Sequence, residues 1–202
     1  MHLDISLSKT PRTLDQLGDW QAALPNMAVI VIDMQNDVFS YSGTPREPVI
    51  DNVRALLDHA IKQKWPIVYN QHLYRSLPPA YLVPRFKKNP TLVPGTKGAE
   101  FAEKIAPRAH DIVIEKPYMD GFIESHLNGT LQSMQVGTIL LCGVMTHLCV
   151  RSTALSGISL GYKAIVIKEA CATLNSQMHL NNLEDMEKMG ILTLDLATLL
   201  KI

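Results

Sequence analysis

The chain has 202 residues, with 19 lysines and arginines balanced by 19 aspartates and glutamates. That length suits one domain with a sizeable core, and the balance leaves no net field to recruit nucleic acid or an anionic membrane. No apolar run is long enough to span a bilayer. The opening stretch MHLDISLSKTPRTLDQLGDW has no basic region leading into an apolar core, and three cysteines without a CxxC pair make no disulfide framework. These features predict a cytoplasmic protein whose partner is a small molecule.

Residues 1–26 form a polar N-terminal arm with room for a short helix near Leu14 and an anchor at Trp20. MAVIVI at 27–32 is continuous and β-branched, as a central parallel strand buried on both faces must be. Asp33 follows directly, at the strand edge where open parallel sheets bind ligands. Apolar residues from Val49 to Ile61 recur at helical spacing after Pro48. A second strand at 67–69 leads into Asn70-Gln71-His72. Residues 73–98 are proline-rich, a long connection of the kind that often closes over a site, with Tyr74, Arg75, Tyr81, Arg85, Phe86 and Lys87 within it. A helix is predicted over 99–105, a third strand over 111–115 ending at Lys116, and a helix over 122–135 broken near Asn128-Gly129.

The stretch ILLCGVMTHLCVRSTALSGISLG, 139–161, reads as strand, tight turn and helix. Thr146 is placed to cap that helix. Cys149 then falls in the first turn, where free amides and the helix dipole favour a thiolate; the alternative for Cys149 is a small buried hydrophobe. A fifth strand at 163–167, a helix at 176–189, a sixth strand at 191–194 and a closing helix complete the chain. Strands alternating with helices predict an α/β fold of three layers with a six-stranded parallel, doubly wound sheet.

Asp33, Lys116 and Cys149 at one sheet edge make a coherent nucleophilic site. The sulfur attacks a carbonyl carbon, the aspartate carries the proton from the thiol to the leaving nitrogen, and the lysine supplies the countercharge. The scheme demands no cofactor. No GxGxxG follows the first strand, there is no GxxxxGK[ST] loop, and neither Ser152 nor Ser156 lies in a GxSxG elbow, so dinucleotide, phosphate-loop and serine-hydrolase chemistry are disfavoured.

Four motifs taken together resemble those of the isochorismatase-like cysteine hydrolases: AVIVIDMQNDVF around Asp33, PGTKGAE at 94–100, EKPYMDGF around Lys116, and CGVMTHLCVRSTA around Cys149. The resemblance runs from Met27 nearly to the C-terminus. It implies a Rossmann-like three-layer fold, a triad of Asp33, Lys116 and Cys149, and a cis peptide between Val144 and Met145 that makes the backbone amides of Met145 and Cys149 an oxyanion hole. It also implies a homodimer or homotetramer. From the same layout Phe39, His72, Tyr118, Phe122, His147 and Cys171 are candidates for substrate contact.

The sequence departs from the family's zinc-dependent nicotinamidase branch. Asn70 stands where that branch has an aspartate ahead of the histidine, and no second histidine lies near, so no metal site is expected. Ser156-Gly157 replaces a common Asp-Ala pair and Glu169 replaces an aspartate, changes that concern packing. The expected activity is therefore metal-independent hydrolysis of a C–N bond in a small amide, carbamoyl or ureido compound through a cysteine thioester. The competing readings are an isochorismatase-type vinyl ether hydrolase, a nicotinamidase, and a catalytically silent relative.

Overall fold

The computed structural model describes residues 26–39, 46–74 and 92–201. The arm at 1–25, and with it Leu14 and Trp20, lies outside the described residues, as do Arg75, Tyr81, Arg85, Phe86 and Lys87 of the proline-rich connection.

β1 (Met27–Ile32) is buried along its whole length. Its side chains alternate between two layers, as the pleat requires. Val29 and Val31 join Val53 and Leu56 of α2 (Arg46–Gln63). Ala28, Ile30 and Ile32 pack on the other face with Leu127 and Leu131 of α3 (Leu127–Ser133). That second layer also holds Ala154 of α4 (Arg151–Ser159) and Leu183 and Met186 of α5 (Ser176–Lys188). A strand apolar on both faces has this one stable place, the middle of a three-layer sandwich.

The sheet holds β1, β2 (Ile67–His72), β3 (Ile112–Lys116), β4 (Thr138–Val144), β5 (Lys163–Ala172) and β6 (Leu192–Leu194). They lie in the order β3-β2-β1-β4-β5-β6, all neighbours parallel. The chain winds outward from β1 through β2 to β3, then returns to lay β4 on β1's other side. That reversal opens a crevice at the C-terminal ends of β1 and β4, the switch point where doubly wound sheets bind their ligands.

Local details differ from the sequence reading. The predicted helix over 99–105 is a single 3₁₀ turn, Glu103–Ile105, because the residues before it bond to the loop after β1. Asp37 and Asn36 donate their amides to the carbonyls of Gly98 and Glu100, and Ala102 donates to Met34. The helix predicted over 122–135 forms only over α3, since Asp120 draws the Phe122 amide into a turn at 2.8 Å. β5 runs on to Ala172, five residues past its predicted end at 167, and pairs Cys171 and Ala172 with Gly143 and Val144. The chain closes with α6 (Leu196–Leu199); α1 (Asn36–Phe39) is a single turn after β1. Among the described residues no helix is long and apolar enough to cross a membrane.

Candidate active site

Asp33 leaves β1 in a left-handed conformation, φ 51°, which aspartate tolerates better than most residues. Its amide donates to the Asn70 carbonyl at 3.0 Å and its carbonyl accepts from the Gln35 amide at 2.7 Å. Lys116 ends β3 in register with His72 of β2 and reaches past that strand. Its Nζ lies 2.9 Å from Asp33 Oδ2, 2.9 Å from the Tyr118 carbonyl and 3.1 Å from the Met119 carbonyl. An ammonium has three protons, and all three have acceptors. Asp33 and Lys116 are each 1% exposed. Burial alone would lower the lysine pKa, but the adjacent Asp33 carboxylate, which also accepts its hydrogen bond, outweighs it and leaves the pKa raised. Lys116 is an ammonium.

Cys149 is 7% exposed. A ligand atom from each of Cys149, Asp33 and His72 lies within 4.8 Å of the others. β4 delivers the thiol. At Gly143, φ is +124° and a Cβ would stand 2.0 Å from the Ile32 carbonyl oxygen, so only glycine lets β4 pass β1 this closely. The Val144–Met145 peptide that follows is cis. The chain then makes a π turn over Thr146–Val150, with the Leu148 and Val150 amides both donating to the Met145 carbonyl, and continues into α4. The Met145 backbone favours an ionised Cys149 sulfur.

Two expectations about this turn are corrected. The cap position belongs to Met145 and not to Thr146; Thr146 is already inside the helix, fully buried, and its hydroxyl is hydrogen-bonded to His179 Nδ1 at 2.9 Å. Nor is Cys149 a preformed thiolate. Burial pushes its pKa up, the Asp33 carboxylate pushes it further, and Lys116 only partly opposes them. The helix start is too buried, and too close to a carboxylate, for the dipole to decide the matter. The resting sulfur carries its proton.

His72 is buried, with Nδ1 3.9 Å from Asp33 Oδ2 and its ring 4.6 Å from that of Tyr74. Burial, and then the Lys116 charge, pull its pKa down to about 4, so the ring is neutral. Its position depends on Gln35, a residue the sequence reading passed over. Gln35 Nε2 donates to the carbonyls of His72 (3.0 Å) and Ala99 (2.9 Å), and Oε1 accepts from the His72 amide at 2.9 Å. Fully buried, this side chain ties the loop after β1 to β2 and to the PGTKGAE segment. The one signal for it in sequence is a polar residue two places past Asp33 in an apolar setting.

The remaining candidates are distributed differently. Tyr118 contributes its carbonyl to Lys116, while its side chain is exposed. Phe39 belongs to the α2-side core, with the Arg46 guanidinium 5.1 Å above its ring, whereas Cys149 belongs to the other face. Phe122 stacks on Tyr162 at 5.8 Å and borders Gly157, near the end of α4 remote from Cys149. These two rings pack into the cores. Cys171 donates its thiol to the Leu141 carbonyl at 3.8 Å inside the sheet. His147 is hydrogen-bonded to Thr173. It lines a groove of about 420 Å³ along α4 with Asp120, Arg151, Ser152, Leu155 and Ser156. The departures at Ser156 and Glu169 are structural: Ser156 bonds to Asp120, and Glu169 Oε2 accepts the Leu196 amide at 2.8 Å where α6 begins.

A thiol, a carboxylate that can take its proton and a buried ammonium beside them, at the switch point of a parallel sheet, are the parts of a cysteine hydrolase. The isochorismatase domain model matches residues 27–198, and the chain belongs to that family. It is 32% identical over 154 residues to the isochorismatase family protein YddQ of Bacillus subtilis, covering 75% of this chain and 80% of YddQ. It is 26% identical over 178 residues to the ureidoacrylate amidohydrolase RutB of Acinetobacter baylyi, covering 75% and 72%. Among solved structures, an isochorismatase family protein from Desulfovibrio vulgaris superposes with a TM-score of 0.76 at 26% identity, covering 86% of this chain and 96% of that one.

Part of this family carries zinc, so the donors here can be tested for fit. The side chains that converge are Asp33, His72 and Cys149, but Lys116 already sits 2.9 Å from the Asp33 carboxylate. A cation bound by that trio would lie against a buried ammonium. Toward β2, Asn70 offers a neutral amide in place of an anionic ligand. These residues do not fit a resident metal ion.

Proposed function

We propose that this chain is a metal-independent cysteine hydrolase that cleaves a C–N bond in a small amide, carbamoyl or ureido compound. The observation that carries the reading is the buried Asp33–Lys116 pair set within reach of a protonated Cys149 thiol. As the sulfur attacks the substrate carbonyl, its proton passes to the Asp33 carboxylate. The C=O becomes an oxyanion facing the backbone amides of Met145 and Cys149, a contribution of about 3 kcal/mol per donor where such holes have been dissected. Asp33 returns the proton to the nitrogen, the C–N bond breaks, and ammonia or an amine leaves a thioester. Water, deprotonated by Asp33, then adds to the thioester and releases the acid and the thiol. Lys116 offsets the negative charge that moves among oxygen, sulfur and carboxylate. His72, neutral and with Nε2 buried and unpartnered among the described residues, is placed to hydrogen-bond the substrate. Relatives such as the ureidoacrylate amidohydrolase support an amide or ureido group as the target.

The test is ammonia release from a panel of small amides and ureido acids. Activity should persist with chelator and fall by about a thousandfold or more in Cys149→Ala and Asp33→Asn, as expected when members of one catalytic unit are removed. Turnover by Cys149→Ala at the wild-type rate would overturn the thiol mechanism, and no ammonia from any panel member would favour vinyl ether hydrolysis or a catalytically silent protein. Loss of activity with chelator would favour the metal-dependent branch.

A further inference from the structure

The oxyanion turn is joined to the rest of the protein by a bond from an unexpected direction. Thr146 follows the cis peptide directly and precedes Cys149 by three residues. It is fully buried and lies inside the turn, whose cap position is Met145. Its hydroxyl bonds to Nδ1 of His179, 33 residues away on α5, at 2.9 Å. The backbone of Lys168 in β5 favours a proton on the ring. In the tautomer protonated at Nε2, Nδ1 is the acceptor and the threonine hydroxyl the donor. Burial lowers the His179 pKa, which keeps the ring neutral and Nδ1 free to accept. Glu169 acts on it in the opposite sense. α5 is itself fixed at its start, where Asn175 Oδ1 accepts the Met178 amide at 2.8 Å and the Asn175 carbonyl accepts the His179 amide at 3.0 Å.

We propose that His179 is a positioning residue: it holds Thr146, and through it the Met145 amide, in the orientation that receives the oxyanion. His179 touches neither sulfur nor substrate in this role. Its effect belongs to reactions that pass through an oxyanion and is absent from thiol chemistry that does not. The inference rests on the reading of Cys149 as a nucleophile, and its test tells the two apart.

Two reagents are compared on the full-length protein. p-Nitrophenyl acetate acylates a thiol through a tetrahedral oxyanion, and release of p-nitrophenolate reports the rate. Iodoacetamide alkylates the same sulfur by direct displacement of iodide, with no oxyanion formed. The Cys149 adduct is located by mass spectrometry in each case. His179→Ala and Thr146→Val should slow acylation roughly five- to tenfold, the worth of one buried hydrogen bond, and leave alkylation within about twofold. His179→Asn, whose amide oxygen can stand in for Nδ1, and Thr146→Ser should recover most of the acylation rate. Equal acylation in all five proteins overturns the inference alone. Parallel loss of acylation and alkylation also overturns it, as the mark of a general packing defect. Failure of the wild type to be acylated at Cys149 overturns the nucleophile reading and this inference with it.

Discussion

Lys116 uses all three of its protons inside the protein, and that bears on why it is there. A buried ion pair is a poor route to stability, because apolar replacements of similar volume commonly do as well or better. Leaving one member alone is costly. Lys116→Met should therefore destabilise the fold by about 3–5 kcal/mol, since Asp33 would remain buried without its countercharge. The double variant Asp33→Asn/Lys116→Met, which keeps a side chain that tolerates the left-handed backbone, should recover much of that loss while remaining inactive. Urea unfolding of the two variants checks both statements; a double variant no more stable than the single would show the pair to be structural. Much of the site was legible residue by residue. Asp33, Lys116 and Cys149 each close an apolar strand or follow its turn, and a polar group at such a position stands out in the sequence. The bonding of Thr146 was not legible. A threonine before a helical run has a local partner in sequence and a distant one in space, and only packing decides between them.

Among the elements, α5 reads in sequence as an ordinary amphipathic helix, with Leu183 and Met186 facing the core. Nothing in its polar positions singles out His179, which stands on a partly exposed face. The start of the helix is well marked: Asn175 Oδ1 takes the Met178 amide. Asn175→Ala should cost about 1 kcal/mol in a chemical denaturation curve, and no change would mean that packing alone holds the end of the helix. β4 and β5 show a limit of the same kind. Their apolar cores were legible, but β5's extension to Ala172 was not, because Lys168 and Glu169 interrupt the apolar run. Pairing with Gly143 and Val144 carries the strand onward, and a pairing partner is not a property of the strand's own residues.

For the molecule as a whole, the site's electrostatics set a dependence on pH. Folded His72 has a pKa of about 4 against an ordinary 6.5. Between those values the unfolded chain binds a proton that the folded chain refuses. His72's contribution is therefore fully present above 6.5 and is lost progressively as the pH falls toward 4. The gap corresponds to about 3 kcal/mol. His59 and His179, also lowered by burial, add in the same direction. Urea unfolding at pH 7.5 and 4.5 should show wild-type stability falling with acid, and His72→Gln should fall less steeply; identical slopes would exclude His72 as a source. The parallel sheet that creates this burial was the most legible feature of all, since runs apolar on both faces have so few places to go.

The Asp33–Lys116 contact joins residues 83 positions apart, and Cys149 arrives only with β4. Such contacts are slow to form, because a long loop must be closed before any of them is gained. A nascent or refolding chain can thus hold most of its helices and its first strands while the thiol is still remote from its carboxylate. Acylation of Cys149 above the rate of an ordinary exposed thiol should begin only when β4 docks on β1, which makes the reaction a timer for assembly of the centre of the sheet.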